Sequence, residues 1–145
     1  MSALVDTAVT NALKTDATLA TLAPGGIFRD VAPEAVVSAA KSDPSQVFGI
    51  ITLQSEVPLD AFDNKPLDEA RLLVKFVSPS TSSVGAQAAL DRAVTVLEAL
   101  SGTVVSGFAI TCSKRAERMA YVENDGPVFW QHRGVSWLVV SSPTS

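Results

Sequence analysis

A chain of 145 residues that is 47% hydrophobic can bury one core and is too apolar to be largely disordered. Its eleven basic and fifteen acidic side chains give a net charge of −4, which argues against a protein whose main task is gripping nucleic-acid phosphates. No apolar run approaches the ~20 residues that span a bilayer, and no secretory signal opens the chain, so we expect one intracellular domain over residues 1–145.

Apolar residues at helical spacing predict two main helices. The first begins near Leu4 and continues to Leu13, after which Asp16 is placed to cap a second short turn that ends at Pro24. The clearest helix covers about 84–100 and ends at Gly102. Its apolar stripe consists of Ala86, Leu90, Ala93, Val94, Leu97 and Leu100.

Runs of β-branched and aromatic residues predict the strands. Two such runs are Val47 to Leu53 and Arg71 to Val77, and a weaker one follows Gly26. An Asp-Gly turn at 124–127 joins two longer strands, about 107–122 and 128–140, and a bulge is expected near Lys114. The order predicts an α+β fold with a mixed or antiparallel sheet of about four to five strands. Two helices pack on one face, and a long β-hairpin forms the C-terminal part.

Two long connections separate these elements, at 33–46 and 55–70. Pro44 is expected to break any helix that begins at Glu34, and the second connection carries Pro58 and Pro66. Loops of this length in a compact domain are functional or mobile. We expect both to become ordered only on contact with partner proteins.

The sequence offers little for catalysis or for holding a metal or cofactor. One histidine and one cysteine cannot supply a zinc site of usual spacing, and the aspartates between 60 and 68 do not match a calcium loop. Cys112 is predicted to be a small buried residue on a strand, and His132 a structural histidine at a sheet surface or subunit contact. We expect no catalytic residue, no metal and no cofactor. The rival hypothesis is an enzyme that uses His132 or Cys112.

Charged residues on the hairpin and in the second connection suggest a contact between subunits. A basic group on the hairpin would meet an acidic group of a neighbouring copy, although a solvated sheet face and a solvated loop explain the same charges. Trp130 and Trp137 are seven residues apart and should face opposite sides of the sheet, with Trp137 in the core and Trp130 at the interface. The candidate interface residues are Lys114, Arg115, Arg118, Trp130, His132, Arg133, Asp60, Asp63, Asp68 and Glu69.

The order of these segments resembles the tail-terminator (tail-completion) proteins of long-tailed bacteriophages and of gene-transfer particles. The resemblance covers nearly the whole chain and depends on order and pattern more than on single residues. The segments that carry it are the helix from Leu4 to Leu13 with the run 16–22, the stretch Gly26 to Pro33, the strand Val47 to Leu53, the helix Val84 to Leu100 and the closing strand Gln131 to Val140. The segment after Pro33 is longer here than is usual in the family.

The resemblance implies a structural virion protein and no enzyme. Members form a hexameric ring that caps the tail tube, ends its polymerisation and presents a docking surface to the head connector, while DNA passes through the lumen without specific binding. The implied partners are further copies of the chain, the tail-tube protein and the connector or stopper protein. The implied location is the head-proximal end of the virion tail, after synthesis in the bacterial cytoplasm.

Three alternatives remain open at this point. One is another phage joining protein, such as a head-closure or stopper protein. A tail-tube subunit is less compatible, because the chain is short of strands for an inner barrel. The third is a small-molecule-binding α+β regulatory module, which would need an apolar pocket with convergent polar groups.

Overall fold

In its computed structural model, which describes residues 1, 3–60 and 66–144, the chain folds into a six-stranded sheet and four helices. Side chains are described for these residues except 57–60, 66–67 and 115–117. The helices are α1 (Ala3–Thr15), α2 (Ala17–Leu22), α3 (Glu34–Ser42) and α4 (Val84–Leu100). The strands are β1 (Gly26–Arg29), β2 (Phe48–Asp60), β3 (Pro66–Pro79), β4 (Thr103–Val105), β5 (Phe108–Asp125) and β6 (Val128–Pro143).

The sheet is mixed, with the strand order β1-β2-β3-β6-β5-β4. β1 runs parallel to β2, and every other neighbouring pair is antiparallel. The predicted α+β class and the long C-terminal hairpin are confirmed. The predicted strand number was too low, because β4, a three-residue strand at one edge, was not expected. Among the described helices, none is long and apolar enough to cross a membrane.

The main core lies on one face of the sheet, here called the first face. Helices α1, α2 and α4 pack there, and alternate residues of β3 and β6 meet them because successive strand residues point to opposite faces. Helical spacing brings Val5, Val9 and Leu13 of α1 into this core. The predicted apolar stripe of α4 is also found there, with Ala86, Leu90, Ala93 and Leu97 each at most 3% exposed.

A smaller apolar cluster covers one end of the second face. Helix α3 contributes Ala40, which is fully buried, and its neighbours Val36 and Val37 pack against the cluster. The sheet contributes residues from four strands, namely Phe28, Phe48, Ile50, Val77, Val128 and Trp130. The prediction of two helices on one face is therefore incomplete, because the short helix α3 lies on the other.

The two segments predicted as long loops are mostly regular structure, and this part of the prediction was wrong. Residues 34–42 form α3, and Pro44 does not interrupt it because the helix has already ended at the C-cap residue Asp43. In the second segment, β2 continues to Asp60 and β3 begins at Pro66. Pro66 is the first residue of β3. Pro58 lies beyond the part of β2 that pairs with β1, where β2 is an edge strand. Strands tolerate proline both at their first residue and at a sheet edge.

Asp16 fixes α2 to α4 through two kinds of contact. As the predicted N-cap of α2, its Oδ2 accepts a hydrogen bond of 2.8 Å from the backbone N–H of Leu19. The same carboxylate accepts a bidentate pair from Arg92, with distances of 2.9 Å from Nε and 2.8 Å from Nη2. The Arg92 and Leu19 hydrogen bonds lower the pKa of Asp16 from 3.8 to about 2.

Replacing Asp16 with alanine is expected to lower the free energy of unfolding by about 1–2 kcal/mol, because the helix cap is lost. Asp16→Asn keeps a cap acceptor, so its difference from Asp16→Ala measures the cap, and its difference from the wild type measures what the carboxylate adds through Arg92. Since the folded pKa is lowered, the wild-type contribution is complete above pH 3.8 and is lost as the pH falls towards 2. Urea titrations at pH 7 and pH 3 measure this. An identical loss for Asp16→Ala at both values would contradict the assignment.

Candidate functional site

The β5–β6 hairpin distributes the predicted basic group over both faces of the sheet. Lys114 pairs with Trp137 and Arg118 with Val135, and both partners belong to the main core of the first face. Arg133 pairs with Ala120 and is two residues from Val135 on β6, so its side chain also lies on the first face. His132 pairs with Tyr121 and lies on the second face. The register shift between Lys114 and Arg118 confirms the predicted bulge, and the side chain of Arg115 lies outside the described residues.

On the first face, the outer part of the hairpin carries exposed apolar and basic side chains together. We call Arg118, Val122, Phe129 and Arg133 the hairpin patch. Val122 is 53% and Phe129 41% exposed, and Arg118 is exposed as well. Arg133 is half-buried, and its Nη1 donates a hydrogen bond of 3.1 Å to the carbonyl oxygen of His132. Exposed arginine and aromatic residues are enriched in protein-binding surfaces.

On the second face, a cleft of about 290 Å³ opens between α3 and the hairpin; we call it the α3 cleft. It is lined by Asp30, Val31, Ala32, Val37, Phe48, Ile50, Val77, Glu123, Asp125, Trp130 and His132. Among these described residues there are three carboxylates and no lysine or arginine. The cleft therefore combines an apolar floor with acidic groups.

The floor of the α3 cleft is built around Trp130. Its ring meets the Phe48 ring edge-on, with centroids 6.2 Å apart and planes at 71°, and only 4% of Trp130 is exposed. The two tryptophans face opposite sides of the sheet as predicted, and Trp137, 1% exposed, lies in the main core. Trp130, predicted at an interface, is covered in large part by the chain itself and lines this cleft.

His132, on the second face, is a buried polar group. It is 7% exposed, and neither ring nitrogen has a hydrogen-bond partner among the described residues. Its ring stacks on Tyr121, with centroids 4.2 Å apart, and Nε2 is 3.9 Å from Glu123 Oε2, too far for a hydrogen bond. Burial, with a smaller effect of the Lys75 charge, lowers the pKa of His132 from 6.5 to about 4. The imidazole is therefore neutral at pH 7.

The carboxylates of the cleft come from two separate parts of the chain. Glu123 and Asp125 lie at the end of β5, on the same face as His132, while Asp30 follows β1 and has a φ of 63°. Lys41 of α3 lies 3.7 Å from Asp125, and both side chains are about half exposed, which makes this ion pair weak. No group of three or more potential metal ligands occurs among the described residues.

The acidic residues that the sequence suggested lie elsewhere. Asp68 and Glu69 are half-buried near the beginning of β3, far from Val77 at the cleft end of the same strand. Asp60 pairs with Pro66, but its side chain is not described, and Asp63 lies outside the described residues. Asp30, Glu123 and Asp125 were not among the predicted interface residues. Pairing the predicted strands through the turn at 124–127 could have shown Glu123 and Asp125 on the second face.

The two residues of the enzymatic alternative do not meet. Cys112 is 6% exposed and belongs to the main core of the first face, whereas His132 lies on the second. Burial raises the pKa of the Cys112 thiol to about 11, so the reactive thiolate is scarce at pH 7. The prediction of a small buried cysteine on a strand is confirmed.

Comparison with known proteins shows a shared fold at low sequence similarity. No protein-family model matches the chain, and no curated protein does. Among solved structures, the chain is similar to a chain of the structure described as "Virion of native gene transfer agent (GTA) particle". The TM-score is 0.63 at 17% identity, over 98% of this chain and 99% of the other. The two chains therefore share one α+β fold over nearly their full length.

Proposed function

We propose that the chain is a structural, non-enzymatic protein of a phage-like particle, and specifically a tail terminator. In this role, copies form a ring that caps the tail tube, ends tube polymerisation and joins the tail to the head connector, with DNA passing through the lumen. The observation that carries the proposal is the end-to-end fold match with a chain of a gene transfer agent virion. The order of segments in the sequence supports the terminator among the roles available in such a particle.

The described surface is consistent with assembly more than with catalysis. Cys112 is buried with a raised pKa, and in the part of the chain that the structure describes no base or acid is hydrogen-bonded to His132. By contrast, the hairpin carries an apolar and basic patch on one face and an acidic cleft on the other. Exposed aromatic and arginine side chains are features of proteins that bind other proteins.

Two other functions have a specific observation in their favour. A head-closure or stopper protein would belong to the same kind of particle, so the fold match supports it as well. A small-molecule-binding module would use the α3 cleft, which has an apolar floor and a buried histidine. Its volume of about 290 Å³ is at the lower end for ligand sites, and its acidic rim would suit only a cationic ligand.

The test is whether the chain controls tube length. Tail-tube protein polymerised with increasing amounts of the chain is expected to give shorter tubes, with ring-shaped density at one end in negative-stain images. Because a terminator acts at ends, far less than one copy per tube subunit should suffice. Native mass spectrometry of the free chain and of capped tubes gives the number of copies in a ring, for which we expect six.

Tubes polymerised without the chain, and with heat-unfolded chain, are the controls. Unchanged tube lengths and bare tube ends, together with binding to isolated connectors, would favour the stopper protein. A native mass that exceeds the sequence mass by a small molecule, with binding to neither tubes nor connectors, would favour the ligand-binding module.

A further inference from the structure

We infer that the α3 cleft is the socket for the hairpin patch of a second copy of this chain, so that Phe129 and the two arginines of one copy seat against the acidic cleft of the next. The inference depends on the proposed function in one respect only, namely that copies of the chain associate. It names the surfaces that do so, which the fold match does not show.

The cleft is chemically incomplete in the single chain. His132 is only 7% exposed, yet neither of its ring nitrogens has a hydrogen-bond partner among the described residues. A buried polar group without a partner costs about 1–3 kcal/mol, and native proteins usually satisfy such groups. A neutral imidazole offers one donor and one acceptor, which a guanidinium and a backbone carbonyl of an incoming segment can both use.

The hairpin patch matches the cleft in both polarity and charge. Its exposed apolar side chains, Val122 and Phe129, correspond to the apolar floor around Trp130 and to Val31, which is 74% exposed at the cleft. Its arginines, Arg118 and Arg133, correspond to the three carboxylates of the cleft. Lys41, which now lies beside Asp125, is 48% exposed and free to exchange this weak contact for solvent. Charge complementarity of this kind fixes which surfaces meet.

The positions of the two surfaces determine the kind of assembly. They lie on opposite faces of the same β5–β6 hairpin, because residues 118 and 122 alternate with 121 and 123 along β5. A surface on one face that binds a different surface on the other face makes a heterologous contact, and repeated heterologous contacts form a ring where the rotation between copies closes and a filament where it does not. Because the two surfaces lie on opposite faces, the copies are expected to associate head to tail, and a symmetric dimer is disfavoured.

Two charge-reversed variants and their mixture test the pairing. Arg118→Glu/Arg133→Glu gives an acidic patch facing an acidic cleft, and Glu123→Lys/Asp125→Lys gives a basic cleft facing a basic patch. Each variant alone is expected to self-associate at least ~10-fold more weakly than the wild type. In a 1:1 mixture every contact is again complementary, provided that the two variants alternate. Native mass spectrometry should then show restored rings that contain both variants in equal numbers.

Matched controls use charges outside both surfaces. Glu98→Lys, exposed on α4, and Lys14→Glu, exposed on α1, should leave self-association at the wild-type level. Rescue by mixing also excludes misfolding, since two unfolded variants cannot restore one another. Wild-type assembly by either variant alone, or a mixture that stays dissociated, would overturn the inference. In both cases the tube-capping test of the wild type remains unaffected, so failure of the pairing and failure of the proposed function give different results.

A disulfide experiment checks the same contact without changing the sign of any charge. In the variant Arg118→Cys/Glu123→Cys, the two cysteines are five residues apart on one strand, about 16 Å, which exceeds the roughly 7 Å limit of a disulfide. Oxidation can therefore join them only between copies. We expect a ladder of crosslinked oligomers that ends at the ring size, and only monomer from the control Arg118→Cys/Glu98→Cys. Equal crosslinking in both variants would argue against the socket.

Discussion

Trp137→Ala is expected to lower the free energy of unfolding by about 3–5 kcal/mol, the range for a large aromatic side chain deleted from a packed core. Trp137 is 1% exposed and lies on β6 in the main core of the first face, where α4 packs against β3, β5 and β6. Alanine would leave a cavity. Because β6 is hydrogen-bonded to β3 and β5 on its two sides, the surrounding residues cannot move inwards to fill it. Denaturant unfolding followed by circular dichroism measures the change.

Two comparison variants separate the causes of that loss. Trp137→Phe keeps most of the packing and removes the indole N–H, which has no hydrogen-bond partner among the described residues, so its loss should be much smaller. Val104→Ala, at a side chain that is 63% exposed, should change stability by less than about 0.5 kcal/mol. A Trp137→Ala chain that unfolds at the wild-type denaturant concentration would show that the main core is not organised around this residue.

His132 is expected to make the chain lose stability as the pH falls from about 6.5 to about 4. The folded pKa is about 4 and that of an unfolded histidine 6.5, so the unfolded chain binds more protons in this interval and unfolding becomes more favourable. Each unit of difference between the unfolded and folded pKa values corresponds to 1.36 kcal/mol, so the loss of stability is at most about 3 kcal/mol. Below pH 4 both states are protonated, and His132 adds no further dependence.

His132→Phe is the matched variant, since a phenyl ring can keep the stack on Tyr121 but cannot be protonated. Because acidic residues of both proteins titrate in the same way, the difference between wild type and variant isolates His132. That difference should be constant above pH 7 and should change between pH 6.5 and 4. Lys75→Met should move the change to higher pH, because the Lys75 charge helps to lower the pKa of His132. A parallel pH dependence of wild type and His132→Phe would disprove this account.

The sequence predicted those parts of the fold in which local pattern and tertiary packing agree. The apolar stripe of α4 has the 3.6-residue period and meets the sheet, and the Asp-Gly turn lies between alternating strands, so both elements were predicted nearly to their ends. The cap at Asp16 was predicted as well, because capping is a short-range interaction. Its second partner, Arg92, is 76 residues away and could not be inferred from local pattern.

The parts that were missed depend on neighbours in space. Helix α3 is short, and of its residues only Ala40, in the cluster with Trp130 and Phe48, is buried. It was missed because Pro44 was expected to break it, although the helix ends before that residue. The proline-containing halves of β2 and β3 are strands because they pair with each other, which local propensity does not show. For the same reason, only part of the candidate site was predicted. The basic residues on the hairpin were recognised, whereas the cleft requires Asp30, Glu123 and α3 to meet.

The bulge between Lys114 and Arg118 has a consequence for the size of an assembly. A bulge increases the local twist of its strand, so it sets the angle between the outer hairpin and the part of the sheet that the helices hold rigid. If successive copies contact one another through the two faces of the outer hairpin, that angle becomes the rotation from one copy to the next. The number of copies that closes a circle would then be encoded in the backbone of two inserted residues, and the chemistry of the surfaces would decide only whether copies bind at all.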